Sequence, residues 1–416
     1  MDDEFLYVGF GRDAETEDVF EEIVDTDIST PEVPFKKYDR GLLRYGAFAR
    51  NFEDLPADAE KYYLTTAIAY TNGLPHVGHA YEFLTSDVLV RLHRFLGYDT
   101  YFLTGADEHG QKVAESASRA GLEPLAHCNI YVSAFQRLND KLRITNDQYI
   151  RTTDPGHQRT CQRLWQRCAE AGDIYLGKYE GWYNEREELF VTQQEAEKTK
   201  FMDEVKNVPL KRVSEESYFF RMSKYADRLI AHIKENPGFI EPESARVNIL
   251  SRLEHDELKD LSISRTTFSW GIPLAADFDQ SGTSGTHVMY VWFDALTNYL
   301  SGIHYLDSED TDCGNLRAYW PASKHIIGKD ITWFHCVIWP TILMSAGLPL
   351  YKGVFSHGFV NGPDGRKMSK SLGNIVDTSE VRNLSNFFPE HFPPCCSLHH
   401  AYFFHTTARA LGSGKF

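Results

Sequence analysis

The sequence predicts an α/β fold whose core is a doubly wound parallel sheet, and three observations support this prediction. Segments rich in β-branched and aromatic residues alternate with segments of helical period over residues 62–121. The same alternation resumes from residue 288 onward. Between these parts, residues 161–265 are charged and rich in Glu and Lys. Because strands that alternate with helices pair in parallel, we expect one sheet that is interrupted by an inserted, strand-poor domain.

The first strand–turn–helix unit starts at residues 62–68, which are β-branched and aromatic, as a buried strand is. A turn is predicted at residues 72–75, which read Asn-Gly-Leu-Pro. The next helix carries Leu or Val at every fourth position from 84 to 96, and Gly97 is a natural stop. Ligands of parallel sheets bind beyond the carboxyl ends of the strands, so a site is expected at this turn.

The second unit repeats this order. Residues 100–103 predict a strand, Gly105 its turn, and residues 111–120 a helix that ends at Gly121. Three further strands are predicted in the second half of the chain, at residues 288–292, 325–328 and 353–355.

Composition and charge exclude several classes of protein. The 416 residues suffice for two or three domains, and no apolar run approaches the ~18 residues of a membrane span, so no membrane partner is expected. The seven cysteines are dispersed without metal-knuckle spacing, which predicts a cytoplasmic protein with reduced thiols, a mitochondrial location staying open. The net charge of -16 gives no support for RNA binding. Part of this charge lies in residues 1–58, which predict an acidic N-terminal extension.

The first motif that carries chemistry is His76-Val77-Gly78-His79, which follows the first strand and its turn at the start of a helix. Two imidazoles and a helix N-terminus converge there, and the backbone amides of a helix N-terminus favour anions. The glycine allows a ligand to approach the backbone closely. Taken alone, two histidines three positions apart are more often surface or core residues without a function.

The second motif lies at residues 367–371, which read KMSKS and follow the turn at residues 361–365. Two lysines and two hydroxyl groups on a glycine-flanked loop suit a mobile clamp on phosphates. In isolation, a solvated basic loop explains the same residues equally well.

Together the two motifs resemble the HIGH and KMSKS signatures of class I aminoacyl-tRNA synthetases, and the second matches letter for letter. Further blocks are similar to methionyl-tRNA synthetases, namely AIAYTNG at 67–73, TGADEHG at 104–110, VWFDALTNY at 291–299 and IGKDI at 327–331. The resemblance covers residues 61–376. It implies a Rossmann-like doubly wound parallel sheet with an inserted connective-peptide domain, and ATP-dependent ligation of methionine to tRNA(Met).

The resemblance also implies roles for individual residues. The methionine pocket falls on Ala67, Ile68, Tyr70, Asp107, Trp292, Ala295, Leu296, Tyr299, His335 and Trp339. Aromatic walls suit a flexible thioether, and the carboxylate of Asp107 suits the ammonium group of the amino acid. A polar group near the sulfur, from Tyr70 or His335, would help to reject leucine.

The catalytic residues implied by the resemblance are His76, His79, Lys367 and Lys370. ATP binding is assigned to His76, Gly78, His79, Gly328, Lys329, Asp330 and Lys370. Asp330 is either an acceptor for a ribose hydroxyl or the N-cap of a helix that starts at Ile331. Because the methionine carboxylate is already ionised, no general base is required, and Mg²⁺ on the phosphates is expected to share the neutralisation of charge.

Five segments are predicted. They are the acidic N-terminal extension (1–58), the first half of the catalytic domain (59–160), the connective-peptide domain (161–265), the second half of the catalytic domain with the KMSKS loop (266–377) and an irregular tail (378–416). No Cys-x-x-Cys occurs in the insertion, so neither a structural zinc nor another metal site is expected. The irregular sequence of the tail shows no helical period, so we expect the tail to lack the helical anticodon-binding domain of the family. A hypothesis that follows is a monomer that activates methionine but charges tRNA(Met) poorly.

Three alternatives stay open. A class I enzyme for leucine, valine, isoleucine or cysteine is disfavoured because no long editing insertion is present and because Trp292 and Tyr299 fit methionine. A smaller nucleotidyltransferase with a similar His-x-Gly-His turn would lack the lysine clamp. A non-catalytic or truncated paralogue that acts as a binding protein is favoured by the irregular tail and disfavoured by the intact motif residues.

Overall fold

A computed structural model describes residues 58–184, 189–191, 193–203, 208–275, 287–307 and 316–360. Four predicted features lie outside the described residues: the acidic extension up to residue 57, the turn at 361–365, the lysine motif at 367–371 and the tail at 378–416. Within the described ranges, no helix combines the length and the apolar composition needed to cross a bilayer. The division of the chain into domains stays a prediction.

The described elements are labelled in chain order. The strands are β1 (Lys61–Thr66), β2 (Ala69–Tyr70), β3 (Asp99–Asp107), β4 (Gln148–Arg151), β5 (Ile174–Asn184), β6 (Leu189–Val191), β7 (Lys211–Phe220), β8 (Ile240–Glu241), β9 (Leu261–Ser262), β10 (Ser264–Arg265), β11 (Val288–Met289), β12 (Lys324–Gly328) and β13 (Val354–His357). The α-helices are α1 (Val77–Phe95), α2 (Gln111–Arg119), α3 (Pro124–Leu142), α4 (Pro155–Glu170), α5 (Gln193–Lys198), α6 (Ala226–Glu235), α7 (Glu243–His255), α8 (Val291–Leu296), α9 (Asn298–Ser301) and α10 (Trp339–Ser345).

Seven strands form one parallel sheet, which confirms the predicted fold class. Their order is β4-β3-β1-β12-β13-β8, and β2 continues β1 along the same side of β3. After β1 the chain adds β3 and then β4 on one side of β1. It later adds β12 and β13 on the other side of β1. The reversal between β1 and β12 is the switch point at which doubly wound sheets bind their ligands.

One extra residue is inserted where β1 passes into β2. Thr65 pairs with Leu103, whereas Ala69 pairs with Ala106, so four steps along one strand face three along its partner. A bulge of this kind bends the strand and redirects its side chains. It places Ala67 and Ile68 at the carboxyl end of β1, beside the switch point.

Side chains of successive strand residues alternate between two apolar clusters. Leu64 and Phe102 belong to one cluster, which α1 covers with Phe83. Tyr63 and Leu103 belong to the other, larger cluster. The sheet is therefore buried on both faces, as expected of parallel strands whose crossovers are helices.

Helix α1 confirms the predicted helix but buries a different face. Leu92 and Leu96, in the row of every fourth position, are 38% and 58% exposed. Phe83 and Val90 are instead 2% and 0% exposed. A step of four residues turns the helix by ~40° beyond a full circle, so such a row spirals away from the core.

Two other predictions are wrong. The strand predicted at 288–292 is only β11, and residues 291–296 form helix α8. A short apolar run does not distinguish a strand from a buried helix, and α8 is such a helix. The insertion at 161–265 is not strand-poor, because it contains the long antiparallel pair β5 and β7. It also contributes β8 to the parallel sheet.

Gly105 was predicted as a turn, and this is wrong because β3 continues through it to Asp107. A Cβ atom at Gly105 would lie 2.2 Å from the backbone oxygen of Ile150 on β4. The glycine is therefore required by the close approach of two strands rather than by a turn.

Replacement of Gly105 by Ala should destabilise the protein by about 3 kcal/mol, because β3 and β4 must separate to admit the methyl group. Urea unfolding of Gly105→Ala measures this free energy. Gly238→Ala is the matched control, since a Cβ atom there meets nothing within 4 Å. Equal stability of the two variants would contradict the packing argument.

Candidate active site

A cleft of about 360 Å³ lies at the switch point, between the carboxyl ends of β1 and β12 and the N-terminus of α1. Most of the predicted site residues that the structure describes line it. They are Ala67, Ile68, Tyr70, His76, Gly78, His79, Asp107, Trp292, Ala295, Leu296, Tyr299, Gly328, Asp330 and His335. Residues far apart in sequence thus share one cleft, although their binding roles stay predictions.

The remaining predicted residues lie elsewhere. Trp339 is fully buried behind the wall, with its ring centroid 6.2 Å from that of Tyr299. Lys329 does not line the cleft, and its ammonium group lies 4.3 Å from the centre of the Phe359 ring. Lys367 and Lys370 lie outside the described residues.

The two histidines of the first motif cap helix α1. The Nδ1 atom of His76 accepts a hydrogen bond from the Gly78 amide at 3.1 Å, and Nδ1 of His79 accepts from the His76 amide at 3.1 Å. The two rings stack with centroids 3.9 Å apart. Because Nδ1 is an acceptor in both rings, a neutral imidazole carries its proton on Nε2. Each ring is therefore a donor for an anion near the helix N-terminus.

Gly78 is needed for this cap. A Cβ atom at this position would lie 2.9 Å from the ring of His76. The glycine thus lets the histidine ring fold over the first turn of α1, next to the space that the cleft offers.

Asp107 ends strand β3 at the cleft and is only 4% exposed. Its carbonyl group accepts hydrogen bonds from the backbone amide and the hydroxyl group of Thr71, at 3.1 and 3.0 Å. These bonds join the end of β3 to the end of β2, so the backbone that carries the Asp107 carboxylate is held in place at the cleft.

Another part of the lining is aromatic. The rings of Trp292 and Phe334 stack with centroids 3.7 Å apart. Tyr299 is fully buried, and its hydroxyl group lies 2.6 Å from Nε2 of His335. Nδ1 of His335 lies 3.0 Å from the carbonyl oxygen of Ile331. Since a carbonyl only accepts, Nδ1 carries the proton, and Nε2 accepts the hydrogen bond that Tyr299 donates.

Burial lowers the pKa of His335 to about 4. The ring is therefore neutral at pH 7, in agreement with its role as an acceptor for Tyr299. The wall then presents an uncharged polar pair inside an apolar and aromatic slot.

The low pKa of His335 predicts a loss of stability in acid. Below its ordinary value of 6.5 the unfolded chain binds a proton at this position, whereas the folded protein does not until pH about 4. Between pH 7 and pH 5 this group should therefore lower the free energy of unfolding by about 2 kcal/mol. Asn at position 335 keeps a donor for Ile331 but does not titrate. Urea unfolding should show that His335→Asn loses less stability over this interval, and an equal loss in both proteins would disprove the assignment.

Glu82 and His357 line the cleft and were not predicted. One carboxylate oxygen of Glu82 accepts from the Ala67 amide at 3.0 Å, and the other lies 3.0 Å from Nε2 of His357. Burial raises the pKa of Glu82. Burial acts to lower the pKa of His357, but the hydrogen bond and the charge of Glu82 outweigh it and raise the pKa. The two residues thus link α1 and β13 by a hydrogen bond between their side chains.

Two signals in the sequence point to this pair. Glu82 follows His79 by three positions, so both lie on one face of α1. His357 is the last residue of a parallel strand, where ligands of such sheets are found.

Asp330 was given two possible roles, and one of them is wrong. The helical turn starts at Lys329, with Gly328 in the N-cap position, so Asp330 is not an N-cap. It lies in the first turn and lines the cleft.

One group of potential metal ligands occurs among the described residues. His157, Cys161 and Asp294 are buried, and their donor atoms lie within 4.8 Å of one another. Nε2 of His157 lies 2.7 Å from Asp294 and 3.2 Å from the sulfur of Cys161. Burial raises the pKa of Cys161 well above its usual range, so the thiol keeps its proton. Hydrogen bonding accounts for the group, which is no evidence of zinc.

A family model described as tRNA synthetases class I (M) matches residues 62–201 and 202–390 of the chain. The methionine–tRNA ligase of Brucella suis is 49% identical over 326 residues, which are 77% of this chain and 60% of that protein. That of Thermotoga maritima is 47% identical over 320 residues, which are 76% of this chain and 49% of that protein. The chain thus spans about 60% or less of the length of these curated relatives.

A solved structure has a similar fold. It is Mycobacterium tuberculosis methionyl-tRNA synthetase in complex with methionyl-adenylate, with a TM-score of 0.70 and 45% identity. The match covers 78% of this chain and 62% of that chain. The residues that the family model matches include all those that line the cleft.

Proposed function

The chain belongs to the methionyl-tRNA synthetases of class I, and from this premise we propose that it activates methionine with ATP and passes it to tRNA(Met). The products of the first step are methionyl adenylate and pyrophosphate. The observation that carries the proposal is one cleft that joins a carboxylate and an aromatic slot to the two imidazoles at a helix N-terminus.

Methionine fits the slot between Asp107 and helix α8. The buried carboxylate of Asp107 binds the ammonium group, and Trp292 with its stacked partner Phe334 packs against the thioether. The pair of Tyr299 and His335 offers a polar contact near the sulfur. Leucine, whose side chain has no polar atom, would leave this pair without such a contact, which supports methionine as the substrate.

ATP fits the other end of the cleft. The Nε2–H groups of His76 and His79 donate to the phosphates, and the first turn of α1 supplies amides and a favourable dipole. At the carboxyl end of β12, Asp330 accepts from the ribose hydroxyls. Mg²⁺ bound to ATP would supply positive charge to the phosphates.

The chemistry needs positioning more than proton transfer. The carboxylate of methionine attacks the α-phosphorus in line, the bond from phosphorus to the bridging oxygen breaks, and pyrophosphate leaves with the electron pair. The residues of the cleft hold two anions together and neutralise the charge that develops. The complex of the M. tuberculosis protein with methionyl-adenylate supports this reaction for the present chain.

The second step transfers methionine from the adenylate to the 3′ end of tRNA(Met). Its support is membership of the family rather than a contact in the cleft. We expect the chain to act as a monomer in the cytoplasm, as the sequence predicted.

Methionine-dependent exchange of labelled pyrophosphate into ATP tests the proposal directly. In the presence of methionine and Mg²⁺, the purified protein should catalyse this exchange. With leucine, valine, isoleucine or cysteine in place of methionine, the exchange should be at least about tenfold less efficient. A charging assay with tRNA(Met) then measures the second step. If none of these amino acids supports pyrophosphate exchange, the proposed activity is refuted. If only leucine supports it, the assigned substrate is refuted.

A further inference from the structure

A fully buried carboxylate stands behind the methionine slot. Asp294 lies on α8, the helix that presents Trp292, Ala295 and Leu296 to the cleft. Its side chain does not line the cleft, so it does not touch a ligand there. A buried charge is costly unless it is paired and hydrogen-bonded, so its partners should explain its presence.

Each oxygen of Asp294 is bound by a different imidazole. Nδ1 of His109 lies 2.7 Å from Oδ2, and Nε2 of His157 lies 2.7 Å from Oδ1. Burial acts to raise the pKa of Asp294, but the two histidines outweigh it and lower the pKa, so the group is ionised at neutral pH. The carboxylate therefore accepts from both rings and ties together the segments that carry them.

His109 belongs to the loop that carries Asp107. It lies two residues beyond Asp107, and its ring packs edge-on against Trp270, with centroids 5.4 Å apart. The residue between them, Glu108, is fully buried and is bound by the guanidinium of Arg151 on β4. The side chain of Glu108 thus fixes the loop to β4, and the side chain of His109 fixes it to α8.

His157 fixes the other side of α8. It lies on α4, and its Nδ1 atom lies 2.7 Å from the hydroxyl group of Ser301 on α9. The amide group of Asn298, which lines the cleft, donates to the carbonyl of Ala295 at 2.6 Å. Helices α8 and α9 are therefore held as one unit against α4.

Resting on the proposed function, we propose that Asp294 sets the distance between the carboxylate of Asp107 and the apolar wall of α8. That distance is the length available to an amino-acid side chain whose ammonium group is bound at Asp107. Asp294, His109 and His157 are positioning residues, and together they select side chains of the length of methionine.

Asp294→Asn tests this inference in the pyrophosphate-exchange assay. An amide has one acceptor atom, so it turns its NH₂ group toward one of the two donor rings and breaks that link. We expect KM for methionine to rise about tenfold, on the scale of one hydrogen bond to a charged group, while KM for ATP is unchanged. The preference for methionine over ethionine, which is one methylene longer, should fall by a similar factor.

The variants at position 109 separate positioning from folding. Asn at this position places its amide nitrogen close to where Nδ1 of His109 lies, so it keeps a hydrogen-bond donor for Asp294. Ala at this position removes the donor. His109→Asn should therefore retain the preference for methionine, and His109→Ala should lose it. This pair decides the question even if Asp294→Asn does not fold.

Asp173→Asn is the matched control. Asp173 is also fully buried and also has several donors, including Lys224 and Ser345, but neither it nor these donors lie on the helices α8 and α9 that line the cleft. It should lower thermal stability without changing the preference for methionine. If wild-type protein exchanges and the variants at 294 and 109 keep the wild-type preference, the positioning role is wrong. If wild-type protein does not exchange, the proposed function is wrong instead.

Discussion

Replacement of Asp107 by Asn should lower kcat/KM for methionine by on the order of a hundredfold or more. Asp107 is the carboxylate at the end of β3 that we assign to the substrate ammonium group, and it is only 4% exposed. An amide of the same shape cannot neutralise this cation in a buried site. KM for ATP should change little, because we assign the phosphates to the N-terminus of α1.

The same strand offers a control. Asp99 stands at the opposite end of β3, where it forms an ion pair with Lys61 at 2.7 Å. Asp99→Asn removes one negative charge from the same strand, at a position that is far from the cleft along β3. Steady-state exchange at varied methionine compares the two variants. If both variants have the same kcat/KM for methionine, Asp107 does not bind the ammonium group of the substrate.

The parallel sheet was predictable because its strands and helices alternate locally. Each unit carries its own signals, such as the turn after β1 and the glycine after α1. The antiparallel pair β5 and β7 was missed because it joins segments that are separated by a stretch with no period. Its residues mix charged and aromatic side chains, and nothing local indicates the partner strand.

Gly105 illustrates a different limit. Glycine in a strand and glycine in a turn look the same in a sequence, since both replace a side chain by a hydrogen atom. Only the proximity of Ile150, which is distant along the chain, shows why a side chain is excluded.

The candidate site was largely predictable because two motifs and four blocks identify a family. Physical reasoning from the residues alone favoured a surface or core position without a function for the two histidines, and a core position for each aromatic side chain. The structure adds what a motif does not specify: the pair Glu82 and His357, and the buried link from His109 to Asp294. Both depend on contacts between segments far apart in the sequence.

The charge of the cleft is the strongest reason to expect a role for the lysine motif. The lining residues that the structure describes include Glu82, Asp107 and Asp330 but no Lys or Arg. A triphosphate would therefore meet three carboxylates and the imidazoles of His76, His79 and His357, which we expect to be insufficient for an anion of this charge. Val360 lines the cleft, and residues 367–371 follow closely in the chain. Ten residues lead from Val360 to Lys370, and at ~3.5 Å per residue this length of chain permits the contact with phosphates that we propose.

Lys370→Ala should consequently slow adenylate formation by on the order of a hundredfold or more, on the scale of one lost charge donor to a transition state. KM for methionine should stay near the wild-type value, since the amino-acid slot is built from other residues. Lys370→Arg keeps the positive charge and should recover part of the rate. Lys352→Ala, which removes an exposed lysine before β13, is the control for a general effect of charge. Near-normal pyrophosphate exchange by Lys370→Ala would show that the cleft obtains its positive charge from another source.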